Sequence, residues 1–295
     1  MLNRVTNQTM AAAAQRNLQA GQAKLAALQE KGATLQNITR PSDDPAALAT
    51  ALATRGRLHA ADQYSNNISD GTGWLNTADS ALGQATNVLN RIRDLTLQAS
   101  NGSLNQPAKD AIAAEIEGLS KDLLASANTK YLGRNVFAGN SDAATAFSTG
   151  QPPTFNGAAG SSVERRVDAG RTVRVDADGG AIFGDGAGSV FALVNDVIAT
   201  IRAGANPSGR LDAIDDRLKT VISGRAEVGT RQSLMEQARD AVAAQKVTLE
   251  SRRAAIEDAD IGQVVLDLKL QETNYQVALA VTAKVLQPSL MDFLR

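Results

Sequence analysis

The sequence predicts a mainly α fold with a small β insert: a helical rod of long antiparallel heptad helices, with the N- and C-terminal helices paired and a central β-rich domain. Three observations predict it. Every seventh residue from Ile214 is apolar, through Val221, Val228, Met235, Val242, Leu249 and Ile256. That spacing holds one narrow stripe against a partner helix, because two turns take about seven residues. A second line of the same period runs through Ile68, Leu75, Leu82 and Leu89, with Ala78, Ala85, Ile92 and Ala99 beside it. Between the two, residues 138–189 turn to Gly, Ser, Pro and short alternating segments, which no heptad crosses.

Composition suits helices lying close together. Among 295 residues there are six Phe, three Tyr and one Trp, so large side chains are scarce. With 30 basic and 31 acidic residues the formal charge is −1, which argues against nucleic-acid and anionic-membrane partners. Cysteine is absent, and with it any disulfide, thiolate metal site or Cys nucleophile. Neither a signal peptide nor an apolar run of about 18 residues is read, so no membrane insertion and no cleaved export signal are expected.

Taken in order, residues 1–40 carry a thin stripe of Leu18, Leu25, Leu28 and Leu35, too sparse to fold alone. It is expected to order only against a partner. Arg40-Pro41-Ser42-Asp43-Asp44-Pro45 reads as a break and then a helix start, with Asp44 as cap and Pro45 in the first turn. A helix to about Tyr64 follows, and another from Ile68 to Ala99. Asn101-Gly102 ends it, and Pro107 opens a shorter helix with Ile112, Ile116, Leu119 and Leu123. Val163 and Val167, then Val173 and Val175, alternate as hairpin strands. Helical periodicity resumes at Val190, Gly204 closes that helix, and the long heptad helix runs from about Leu211 past Ile256. A last amphipathic segment carries Ile261, Val264, Val265, Leu268, Tyr275 and Val285.

These elements imply three parts: a terminal helical region of 1–40 and 261–295, a helical rod of 41–137 and 190–260, and a small β-rich domain of 138–189. Leu18, Leu25, Leu28 and Leu35 are expected to meet Ile261, Val264, Leu268 and Tyr275, and then neighbouring subunits, with Val265 and Val285 in the same assembly interface. The heptad residues from Ile68 to Leu89 with Ile92, and from Ile214 to Ile256, are the expected rod core.

No catalytic, cofactor or metal site is read. His59 is the only histidine and reads as a helix-surface residue. Glu257, Asp258 and Asp260 read as a break between helices. Asp176-Ala177-Asp178-Gly179-Gly180 hints at a calcium loop, but an EF-hand would want Gly at Ala181 and Glu at Ala187, so a tight hairpin turn is expected.

Three runs carry a resemblance. Gln15-Arg16-Asn17-Leu18, Leu89-Asn90-Arg91-Ile92-Arg93-Asp94-Leu95 leading to Asn101-Gly102, and Ile256-Glu257-Asp258-Ala259-Asp260 resemble the terminal regions of bacterial flagellins. Within that superfamily, Arg40-Pro41-Ser42-Asp43-Asp44-Pro45, and Tyr131-Leu132 followed by Val136-Phe137-Ala138-Gly139, are similar to its hook-filament junction branch, the third hook-associated proteins. The resemblance implies an extracellular structural subunit of the flagellum that is not an enzyme. It implies type III export and partners in the first hook-associated protein, flagellin, copies of itself and an export chaperone. A minor filament flagellin is the alternative; a surface adhesin or a cytoplasmic coiled-coil scaffold are further readings.

Overall fold

The computed structural model describes residues 7–158 and 160–286, with side chains described from 9 to 284. Among the described residues seven α-helices run α1 Asn7–Thr34, α2 Pro45–Ala99, α3 Gln106–Ala127, α4 Gly179–Phe183, α5 Val190–Arg202, α6 Leu211–Glu257 and α7 Ile261–Leu286. Four short strands lie between α3 and α4: β1 Lys130–Tyr131, β2 Arg134–Asn135, β3 Glu164–Asp168 and β4 Arg171–Arg174. They form two separate antiparallel hairpins, β1 with β2 and β3 with β4. The fold class is therefore mainly α with a small β insert, as the heptads predict. The chain divides into two compact units, Ala60–Gln245 and Met1–His59 with Lys246–Arg295.

In the larger unit, α2 and α6 run antiparallel. Arg93 pairs with Asp215 at 2.6 Å, Asp79 with Arg225 at 2.7 Å, and Asn76 with Gln232 at 2.9 Å, so position rises on one helix as it falls on the other. The heptad lines make the seam. Ile68, Leu75, Leu82, Leu89 and Ile92 on α2 and Ile214, Val221, Val228, Met235 and Val242 on α6 are all buried. Small residues let the helices close in: Gly71 would meet Met235 Cε at 2.6 Å if it carried a Cβ. That packing also corrects one boundary. The sequence suggests a gap between Tyr64 and Ile68, yet α2 runs 55 residues unbroken. Buried Ile68 and Gly71 hold the segment helical despite the Asn, Ser and Asp around them, as tertiary packing overrides propensity.

Helix starts follow the expected chemistry. Asn105 caps α3 by accepting from Ala108 N–H, and Ser189 caps α5 from Ala192 N–H. The β-rich segment is less regular than its alternation suggests. Val163, Val167, Val173 and Val175 are buried under the β3–β4 hairpin, but the core here is aromatic. Phe147 lies 5.2 Å from both Phe155 and Phe191, and Phe137 and Phe183 meet edge to face at 5.4 Å. The expected hairpin turn at Asp176–Gly180 is not one. Asp178 caps α4 through Ala181 N–H, while the buried Asp176 receives Val163 N–H and both Nε and Nη2 of Arg174. The alternation ends at Val175, and the two carboxylates serve a helix start and an ion pair instead.

Candidate assembly interface

In the smaller unit, α1 and α7 pair antiparallel. A methyl group at Gly21 would touch Tyr275 at 3.4 Å, and one at Gly32 would touch Val264 at 3.5 Å, so the register is set by two glycines that admit larger side chains. Gln271 Nε2 donates to Gly21 O at 3.2 Å across the same seam. The stripe expected to wait for a partner finds one at the far end of its own chain.

Two breaks flank this pair and are tied to each other. Leu35 ends α1 at a φ of 57°, the left-handed region that a branched side chain resists. Asn37 N–H then donates to Glu257 O at 2.7 Å and Ala259 N–H to Leu35 O at 2.9 Å, around a bridge between Gln36 and Asp258. Arg55 Nε donates to Glu257 at 2.7 Å, and that hydrogen bond first of all holds the Arg55 guanidinium above its ordinary pKa. Asp43 accepts N–H from Arg40 and Thr39 and the Thr39 hydroxyl, and the Arg40 N–H first of all keeps its carboxyl below the usual range. Asp44 caps α2 through Ala46 and Ala47 N–H, with Pro45 at the first position. Asp260 caps α7 through Gly262 N–H at 2.8 Å.

The expected interface residues divide into two sets. Leu18, Leu25, Leu28, Val264, Leu268 and Tyr275 are half-buried in or beside the α1–α7 seam. Leu35, Ile261 and Val265 are 47, 58 and 56 % exposed and are not enclosed by it. The side chain of Val285 lies outside the described residues. Of the expected rod core, Leu249 is buried and Ile256 half-buried, both in the smaller unit. His59 is exposed on α2.

Sequence reasoning missed a second line on α7. Leu266, Leu270, Val277 and Val281, spaced by four, seven and four, are 68, 62, 57 and 56 % exposed. At about 100° per residue they point away from Val264, Leu268 and Tyr275. The signal was available: α7 is apolar on two sides, and such a helix belongs inside an assembly. Among the described residues no group of three or more His, Cys, Asp and Glu could hold a metal ion, and no helix is long and apolar enough to cross a membrane.

Paired terminal helices with an uncovered apolar line define a class: a structural subunit completed by its neighbours. The family models for the bacterial flagellin N-terminal helical region and C-terminal helical region match residues 5–142 and 211–294. The chain belongs to the bacterial flagellin family. It is 26 % identical over 276 residues to flagellar hook-associated protein 3 of Escherichia coli K12, covering 84 % of this chain and 86 % of that one. It is also 26 % identical over 273 residues to flagellin of Bacillus subtilis 168, covering 88 % of each. Its fold is similar to the solved structure of a flagellar hook-associated protein from Vibrio parahaemolyticus, with a TM-score of 0.68 and 22 % identity, covering 73 % of this chain and all of that one.

Proposed function

We propose that the chain is the flagellar structural subunit that joins the hook to the filament, the counterpart of hook-associated protein 3. The observation that carries this reading is the match to that protein over most of both chains. The Arg40–Pro45 segment supports it, since its two prolines bracket a break built on Asp43 and Asp44. In this reading the subunit is exported without a cleaved signal peptide and sits outside the cell. It contacts the first hook-associated protein on one side, flagellin on the other, and copies of itself around the axis, after an export chaperone releases it.

The interface follows from the burial pattern. Each leucine or valine taken from water contributes roughly 1.5 to 3 kcal/mol, so Leu266, Leu270, Val277 and Val281 stabilise contacts with neighbours once several subunits stand together. Leu35, Ile261 and Val265 serve the same contacts. The three-part division into terminal, rod and β-rich regions belongs to this proposal too.

Deleting the gene tests it: hooks without filaments are expected, with flagellin in the medium. Normal filaments on the deletion strain would overturn the reading. The Bacillus subtilis flagellin match favours a second reading, a minor filament flagellin; purified chain that polymerises by itself into long filaments would establish that one instead.

A further inference from the structure

The turn that follows α2 gathers groups that can react with one another. Asn101, Gly102 and Ser103 stand just past the last helical residue, Ala99, and all three are exposed. Asn101 Oδ1 accepts two hydrogen bonds from Ser103, from its N–H at 3.1 Å and from its hydroxyl at 2.9 Å. Those are the distances at which paired donors stabilise an oxyanion. Asn101 N–H donates to Gln98 O and Leu104 N–H to Asn101 O, so both ends of the turn are held. Gly102 N–H between them has no backbone acceptor among the described residues. Nothing inside the subunit calls for glycine here: a Cβ would meet no atom within 4 Å, and the φ is not left-handed. What glycine does supply is a peptide nitrogen that its neighbour can approach without a side chain in the way.

The chain has one other Asn-Gly pair, Asn156-Gly157, and it is built differently. Asn156 N–H donates to Ala146 O at 2.8 Å, and its carbonyl accepts from Ser141 Oγ at 3.2 Å. Its side chain bonds through Nδ2, to Thr145 O at 3.5 Å. The Phe155 ring fills the space where a Gly157 Cβ would stand, so that backbone is fixed on every side.

We propose that Asn101-Gly102-Ser103 is a self-modification site, at which the Gly102 nitrogen attacks the Asn101 side-chain amide and the asparagine becomes aspartate or isoaspartate. Hydroxide takes the Gly102 N–H proton, and the nitrogen adds to Asn101 Cγ. Negative charge then develops on Oδ1, where the two Ser103 donors already point. The Cγ–Nδ2 bond breaks, and ammonia leaves with a proton returned from water. Water next opens the cyclic imide. Breaking the bond from Cγ to nitrogen gives aspartate, and breaking the one from the main-chain carbonyl carbon gives isoaspartate. Either product places a carboxylate beyond the last turn of α2, where the helix dipole is negative and no basic side chain answers it. The site therefore marks the age of a copy, whichever place in the flagellum that copy takes.

The purified full chain is kept at pH 8 and sampled over days, and peptide mass spectrometry follows the exchange of NH2 for OH at both Asn-Gly pairs. Asn101 should convert several-fold faster than Asn156 in the folded chain, and the difference should shrink in urea, where the turn is lost. Conversion at Asn101 no faster than at Asn156, or a difference undiminished in urea, overturns the proposal. Ser103→Ala removes one donor from an exposed position: conversion at Asn101 should slow several-fold while the chain melts at the same temperature, and Ser103→Thr should restore the rate. An unchanged rate in Ser103→Ala overturns the proposal as well.

Discussion

At the scale of single residues, the seam between α2 and α6 is where side-chain volume matters most. Leu82 is fully buried between alanines, so Leu82→Ala leaves a hole that neighbouring helices cannot close, and a loss of about 3 kcal/mol is expected in urea unfolding. Leu132 behaves in the opposite sense. Relieving its left-handed backbone with Leu132→Gly is expected to leave the purified chain as stable or up to about 1 kcal/mol more so, read by the same titration. The heptad residues were legible in the sequence because a period of seven admits one interpretation over six repeats. Asp176 and Asp178 were not, since two carboxylates beside two glycines fit a turn, a cap or an ion pair equally well until Arg174 and Ala181 are placed around them.

At the scale of elements, helix starts were readable from Asp44, Pro45 and Pro107, whereas the continuity of α2 was not. Local polarity near Asn66 and Asn67 argues for a break, and only the buried contacts of Ile68 and Gly71 show why there is none. The segment 39–43 carries a pH dependence. Asp43 has a lowered carboxyl pKa in the folded chain, so its hydrogen bonds stabilise the segment fully above the ordinary carboxylate range, and that contribution is lost as pH falls through the lowered value. Backbone amide shifts of Thr39 and Arg40 should hold steady from pH 7 to 5 and move only at more acidic pH. The α1–α7 pair, with no described side chain fully buried, should exchange its amides faster than the seam of α2 and α6 in a hydrogen-exchange measurement on the isolated chain. Equal protection in both would contradict that ordering.

At the scale of the molecule, the sequence pattern identified which segments are helical, because that depends on periodicity. It did not show that α7 has two apolar lines, because the inward line on Val264, Leu268 and Tyr275 blends with the outward one until α1 is docked. Replacing Leu266 and Leu270 with Asp should leave the melting of the larger unit unchanged and abolish filament attachment, scored by electron microscopy of the complemented deletion strain. The hydrogen bond from Gln271 to Gly21 joins positions 250 residues apart. A chain cut short before α7 would therefore leave α1 bare however well the middle had folded. Closing α1 against α7 thus works as a length check, since the early helix is covered only in a copy whose synthesis ran through α7.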